Sequence, residues 1–225
     1  MPVTKEAQNQ TQVEEYEAIG PVQLGPWASN VWRHDPRHLV FTVARYKFVA
    51  KILSGKVKVA EIGCGDGLGT PIVLQEVGFL HGIDIEPIVI RDAEARFKQE
   101  NIQNCSFEVK DIVQFPLTGP FDAAFSLDVV EHIPSDLETK YMEHICAGLI
   151  QEGVCLIGTP NVTAAPYASK LSQEGHINLK SGPELKALVG RYFHNVFLFS
   201  MNDEVVHTGF TPMAHYLIAM GVGKR

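Results

Sequence analysis

The chain has 225 residues, 45% of them hydrophobic and 20% charged, with 26 acidic against 19 basic side chains and a net charge of −7. That size and balance describe one globular domain, or one domain with a small appendage. They speak against unaided binding to a phosphate backbone, which needs clustered Lys and Arg, and no run reaches the roughly 20 apolar residues of a membrane span. Cys64, Cys105, Cys146 and Cys155 form no C-x-x-C pair. Neither a disulfide framework nor a zinc site is expected, and a reducing, cytoplasmic setting fits. The polar start MPVTKEAQNQTQVEEYE does not read as a signal peptide.

In chain order, residues 1 to about 15 lack hydrophobic periodicity and are expected to fray or act as a mobile arm. The stretch from Ile19 to Asp35, with Pro21, Pro26, Trp27 and Trp32, reads as ordered loop. At Asp35-Pro36 a helix should start, with Asp as N-cap and Pro in the first turn. Leu39, Val43, Tyr46 and Ala50 follow at helical spacing and Gly55 ends the run. Residues 1–55 are therefore expected as an N-terminal arm and lid helix, and residues 56–225 as the main domain.

From Lys56 the pattern alternates between strands and helices. Strands are predicted at Val57–Ile62, Phe79–Asp84, Cys105–Val109, Phe121–Leu127 and Gly153–Gly158. Helices are predicted from Thr70-Pro71 to Gly78, over Glu86–Glu100, and from Ser135 or Asp136 through Leu137, Tyr141, Ile145 and Leu149. A further helix opens on the capping box Ser181-Gly-Pro-Glu184. The alternation implies a parallel sheet covered by helices on both faces. HNVFLFSM and AHYLIAM then read as two strands with about a dozen residues between them, too few for a right-handed crossover, so they should pair antiparallel.

The central motif is Glu61-Ile-Gly63-Cys64-Gly65-Asp66-Gly67, where an apolar strand runs into a glycine-rich turn. Glycine serves where φ is positive or the backbone must touch a ligand. No Lys follows, so this is not a triphosphate loop, and the spacing fails the dinucleotide fingerprint G-x-G-x-x-G. E-x-G-x-G-x-G suits a ligand with an amino-acid end. Asp84, ending the second strand, can accept from a ribose diol. Asp111, after the third strand, can accept from an adenine amino group, with Ile85 and Ile112 on either side of the ring. The fourth strand ends in Ser126-Leu127-Asp128-Val-Val-Glu131-His132.

AEIGCGDG, GIDIEP, VKDI, SLDVVEHI and GTPN, in this order and spacing, resemble the class I S-adenosylmethionine-dependent methyltransferases, and locally the ubiquinone-type O-methyltransferases (type 11/12). The resemblance covers about residues 57 to 161. It implies a Rossmann-like α/β three-layer sandwich with a seven-stranded, mostly parallel sheet of order 3-2-1-4-5-7-6 and an antiparallel last strand. It also implies S-adenosylmethionine as cofactor, with S-adenosylhomocysteine as product. Glu61, Gly63, Cys64 and Gly65 would surround the methionine part, Asp84 the ribose and Asp111 the adenine amine. The Leu127 carbonyl would face the methionine ammonium.

The cofactor supplies the reactivity, so the protein must align an acceptor and exclude water. A neutral His is a suitable base for a hydroxyl. His132, past the fourth strand, and His176, in the connection after the fifth, are the catalytic candidates. Trp27, Arg33, His34, His176 and His207 are the acceptor-site candidates. Asp66 reads as a turn residue, and Asp128 as either a loop cap or a ligand-orienting group. Cys64 reads as a packed side chain rather than a nucleophile. Asp128, Glu131 and His132 can offer metal ligands, but their spacing does not enforce convergence, and no metal is expected. The expected reaction is O-methylation of a sugar, glycan precursor or secondary metabolite. The alternatives are N-methylation of a small amine, or a non-catalytic cofactor-binding regulatory subunit. The partner expected is a small-molecule acceptor, with no nucleic acid and no membrane, and the protein itself is expected as a monomer or homodimer.

Overall fold

The computed structural model describes residues 3–225. Its strands are β1 Lys58–Ile62, β2 Phe79–Asp84, β3 Cys105–Val109, β4 Phe121–Leu127, β5 Leu149–Pro160, β6 Phe193–Asn202, β7 Val205–His207 and β8 Tyr216–Lys224. They form one sheet of order β3-β2-β1-β4-β5-β8-β6-β7. β1 to β5 are parallel, and β8 runs antiparallel to both β5 and β6. The expected order holds, with eight strands in place of seven. The extra strand is β7, which folds back on β6 through Asp203, at φ +49°, and accounts for the long connection between the two predicted strands.

The helices are α1 Gln10–Ile19, α2 Pro26–His34, α3 Pro36–Ile52, α4 Thr70–Leu74, α5 Pro87–Gln99, α6 Glu138–Ala147, α7 Lys170–Gly175 and α8 Gly182–Gly190. Three expectations need correction. The arm expected at residues 1 to about 15 includes Met1 and Pro2, which lie outside the described residues; the rest of it carries α1, a helix with no buried residue. The expected ordered loop before Asp35 contains α2, opened by Gly25 and Pro26. Leu149, placed on a helix by its spacing, begins β5 instead, which is longer than predicted at both ends.

Strand residues alternate between two cores, as the period of two requires. Ala60, Ile62, Ala124, Cys155, Ile157, Leu217 and Ala219 pack under α6 and α8. Val59, Ala123, Phe125, Leu156 and Ile218 pack under α3 and α4, with Tyr46, Val49, Leu53 and Val73. The sheet is thus the middle of three layers. The carboxyl ends of β1, β2, β4 and β5 open on one edge, where such sheets place ligands. All four cysteines are free. Among the described residues, no helix is long and apolar enough to cross a membrane.

Candidate active site

The glycine turn after β1 is built on positive φ at Gly63 (+75°), Gly65 (+55°) and Gly67 (+73°). It folds back toward β2, because the N–H groups of Gly63 and Cys64 both donate to the Ile83 carbonyl, at 2.8 and 3.0 Å. A side chain at Gly63 would strike Val129, 2.2 Å from its Cβ position, and one at Gly65 would strike the Trp27 ring, 2.9 Å away. The turn is therefore covered by α2 and by the segment after β4. Asp84 is buried and braces it: one carboxylate oxygen accepts from the Gly65 N–H and the other from the Glu86 N–H, each at 2.9 Å.

Glu61 is 1% exposed, and one of its oxygens accepts from the Thr70 hydroxyl at 3.1 Å while the other is buried without a partner. Burial pushes its carboxyl up to about 8, against the pull of the Tyr46 and Thr70 hydroxyls. A neutral carboxyl with a free lone pair can accept from a ligand donor such as an ammonium. Cys64 is buried and burial raises its thiol, with Glu61 and Asp84 adding to the effect. It packs against Gly82 and is no nucleophile.

A cleft of about 380 Å³ follows the strand ends, lined by Trp27, Gly63, Asp84, Ile85, Asp111 and Ile112, and closed at its far side by Asp128, Val129 and His132. This gathers most of the residues expected around a cofactor. Ile85 is exposed to the cleft, while Ile112 belongs largely to the core. The Asp111 carboxylate holds its own turn, accepting from the Val113 N–H at 2.9 Å and from the Gln114 amide at 2.7 Å. Glu61, Cys64 and Gly65 lie beneath the cleft rather than in its wall, and the Leu127 side chain turns into the core under α3.

A second cavity, of about 580 Å³, adjoins the first. Asn30, Val31 and His34 of α2, Phe41 and Arg45 of α3, Tyr167, His176, His215 and Tyr216 contribute to its wall. Burial lowers His38, His176 and His215, aided by Arg45 at the first and last and by His132 at the second. These imidazoles are neutral at pH 7.

The two cavities meet at two pairs of residues. His132 of the first and His176 of the second have ring centroids 5.1 Å apart. Asp128 of the first is bound by Arg45 of the second at 2.7 and 3.0 Å. Asp128 holds φ at +57°, a strained conformation for a non-glycine residue. Arg45 is buried with its guanidinium 3.7 Å above the Tyr216 ring. Burial works against its charge, and Asp128 more than restores it. Glu131 is fully buried beside them and its carboxyl is pushed up to about 8 by burial and by Asp128. The donor atoms of Glu131, His132 and His176 all lie within 4.8 Å of one another. The convergence thus falls on this trio, whereas Asp128 is engaged by Arg45.

Of the acceptor-site candidates, His34 and His176 line the second cavity and Trp27 lines the first. Arg33 is exposed and lines neither. His207 is spent inside the hairpin, between the Asn202 amide and the Gly209 N–H, both at 2.9 Å. Sequence reasoning missed Arg45, although a cation on the buried face of α3 was a visible signal. It also missed the role of Asp66, whose carboxylate accepts from the Ala28 N–H at 2.8 Å. That oxygen caps the amino end of α2 from the glycine turn itself.

The sequence model of a family described as a methyltransferase domain matches residues 53–196. A ubiquinone biosynthesis O-methyltransferase of Xanthomonas campestris pv. campestris (strain B100) is 24% identical over 167 residues, 71% of this chain and 65% of that protein. The chain thus spans under two thirds of that relative's length. Among solved structures, the N-methyltransferase NodS from Bradyrhizobium japonicum WM9, in complex with S-adenosylhomocysteine, superposes with a TM-score of 0.59 at 16% identity, covering 85% of this chain and 91% of that one. Magnesium protoporphyrin IX methyltransferase from Synechocystis PCC 6803, with S-adenosylhomocysteine bound, gives 0.58 at 17% identity, covering 96% and 95%. The chain belongs to the methyltransferase domain family, as its resemblance to class I S-adenosylmethionine-dependent enzymes implied.

Proposed function

We propose that this chain transfers the methyl group of S-adenosylmethionine to a hydroxyl oxygen of a small molecule. One observation carries the reading: a cleft with a braced glycine turn and Asp84 lies against a second cavity of different character, their walls in contact at Asp128–Arg45 and His132–His176. The first suits an adenosyl group with an amino-acid end. The second suits the acceptor. Glu61 and the turn of Gly63 to Gly65 hold the methionine part, Asp84 the ribose, and Asp111 with Ile85 and Ile112 the adenine. The sulfonium then lies toward His132 and the second cavity.

Transfer is an in-line displacement, so alignment is the main demand on the protein. Trp27 and α2 cover the reacting centre and keep water out. Phe41, Tyr167 and Tyr216 beside neutral imidazoles favour an acceptor with a flat apolar part and a hydroxyl. Of the expected sugar, glycan precursor and secondary metabolite, the last fits best. The ubiquinone-pathway O-methyltransferase relatives support oxygen over nitrogen.

The test is a screen with methyl-labelled S-adenosylmethionine against phenols, sugars and small amines. Label appearing on a hydroxyl product supports the reading. Label appearing only on amines, or no transfer to any acceptor, contradicts it.

A further inference from the structure

Two features stand without a packing partner in the single chain, and they match each other. The first is α1. None of its ten residues is buried, and helices shorter than about 12–15 residues are marginal in water unless packing holds them. Val13, Tyr16 and Ile19 recur every third residue along one side of it, a run too short to read as periodicity in the sequence. Tyr16 is 56% and Ile19 67% exposed. Glu14, Glu15 and Glu17 make the helix acidic, and no Lys or Arg occurs from residue 6 to residue 32. The second feature is a groove of about 710 Å³ on the outer face of α3, which shares no residue with either cavity of the site. Val40, Val43, Ala44, Lys47, Phe48 and Lys51 line it at the spacing of one helix face, joined by Ile72 of α4 and Val206 of β7. Val40 is 49% exposed. Lys51 is paired with Glu76, and Glu204 also reaches the groove. Lys47 is exposed and makes no ion pair among the described residues.

We propose that the groove receives α1 of a second copy of this chain, in a two-fold dimer where each copy's α1 lies on the other's α3. The lengths agree. The ten residues of α1 rise about 15 Å, and the eleven steps from Val40 to Lys51 about 17 Å. The chemistry agrees too. The apolar side of α1 meets the Val40, Val43 and Phe48 floor, and the acids on either flank of that side, Glu15 and Glu17, answer the unpaired charge of Lys47. One short helix in one groove is small against the roughly 1,200 Å² of a specific interface. Reciprocal exchange doubles the contact and closes the assembly. The exchanged arm runs on through residues 20–25 into α2, whose Trp27 covers the glycine turn. Each copy thereby anchors the segment that leads to the other's Trp27.

The experiment is sedimentation equilibrium on the full, untagged chain. A dimer at micromolar concentration is expected, with its Kd raised at least ~10-fold in Tyr16→Glu and in Val40→Glu. Both side chains are exposed, so both variants should keep a cooperative melt. An equal mixture of the two variants gives the decisive sample. In the mixed dimer one intact α1 meets one intact groove, whereas each variant alone has both contacts damaged. The mixture should therefore associate more tightly than either component. Lys47→Glu should weaken the wild-type dimer as well. A monomer up to millimolar concentration, or a mixture no tighter than its components, overturns the exchange. Loss in Val40→Glu with none in Tyr16→Glu makes α3 of the second copy the occupant and overturns it equally.

Discussion

Replacing Asp84 by Ala tests two roles of one side chain at once. Each Asp84 oxygen already accepts one backbone N–H at 2.9 Å, from Gly65 and from Glu86. A carboxylate offers about two acceptor positions per oxygen, so one per oxygen remains for the ribose hydroxyls. Removing the carboxylate strands the Gly65 N–H in a buried turn, at a cost of about 1–3 kcal/mol. At about 2–4 °C per kcal/mol for a domain of this size, the unliganded protein should melt roughly 2–12 °C lower. Loss of the ribose bonds should weaken S-adenosylhomocysteine by a further ~1–3 kcal/mol, or about 5- to 150-fold in Kd. Asp84→Asn keeps the shape and one acceptor oxygen but turns an amide N–H toward a backbone N–H. It should fall between Ala and wild type. Calorimetric titration alongside thermal melts reads both effects. A lower melting temperature with affinity within twofold of wild type would show that Asp84 only braces the turn, and the ribose assignment would be wrong.

Three further outcomes follow from the same geometry. Glu61 binds its proton more tightly when folded than when unfolded, so its contribution to stability falls as pH rises from its ordinary value near 4.5 through about 8. The melting temperature of unliganded wild type should decline across that window and that of Glu61→Gln should decline less, the remaining slope being the fall from Glu131 set against the rise from the lowered His38, His176 and His215; identical slopes would remove the assignment. His176→Ala should cut turnover at least ~10-fold with S-adenosylhomocysteine affinity unchanged, and full turnover would place His176 outside the acceptor site. Asp66→Ala removes the cap on α2, worth about 0.5–2 kcal/mol, and should speed amide exchange across Pro26–His34 while weakening cofactor binding through Trp27. Unchanged exchange would show that α2 does not depend on that cap.

The inner strands were legible because they are buried on both faces and bounded by glycine turns, so Phe79–Asp84 and Phe121–Leu127 stand where the apolar runs put them, while Cys105–Val109, half-buried at the sheet edge, was placed by the strand–helix alternation. The cleft along the strand ends was legible for a related reason: Gly63, Asp84, Ile85, Asp111 and Ile112, which line it, sit at strand ends in fixed order. Elements without a local signal were missed. α1 buries nothing and so has no periodicity to find, and β7 is three residues long, too short to alternate. α2 repeats the Pro-at-first-turn logic of α3, but its two Trp and its prolines suggested loop, and its cap comes from Asp66, 38 residues away. The second cavity depends on such distant pairings. Arg45 and Asp128 are 83 residues apart, and His132 meets His176 only because Gly175 and Asn178 tie their segments together. Chain spacing carries no record of those contacts.

The central claim is that the cleft along the strand ends holds S-adenosylmethionine, with its methyl group aimed at the second cavity. Amide hydrogen exchange with and without S-adenosylhomocysteine tests it most directly. The account predicts protection concentrated in the glycine turn at Glu61–Gly69, at Asp84–Glu86, at Asp111–Ile112 and in α2 beneath Trp27. Protection confined to other segments, or none at a saturating concentration, would contradict it.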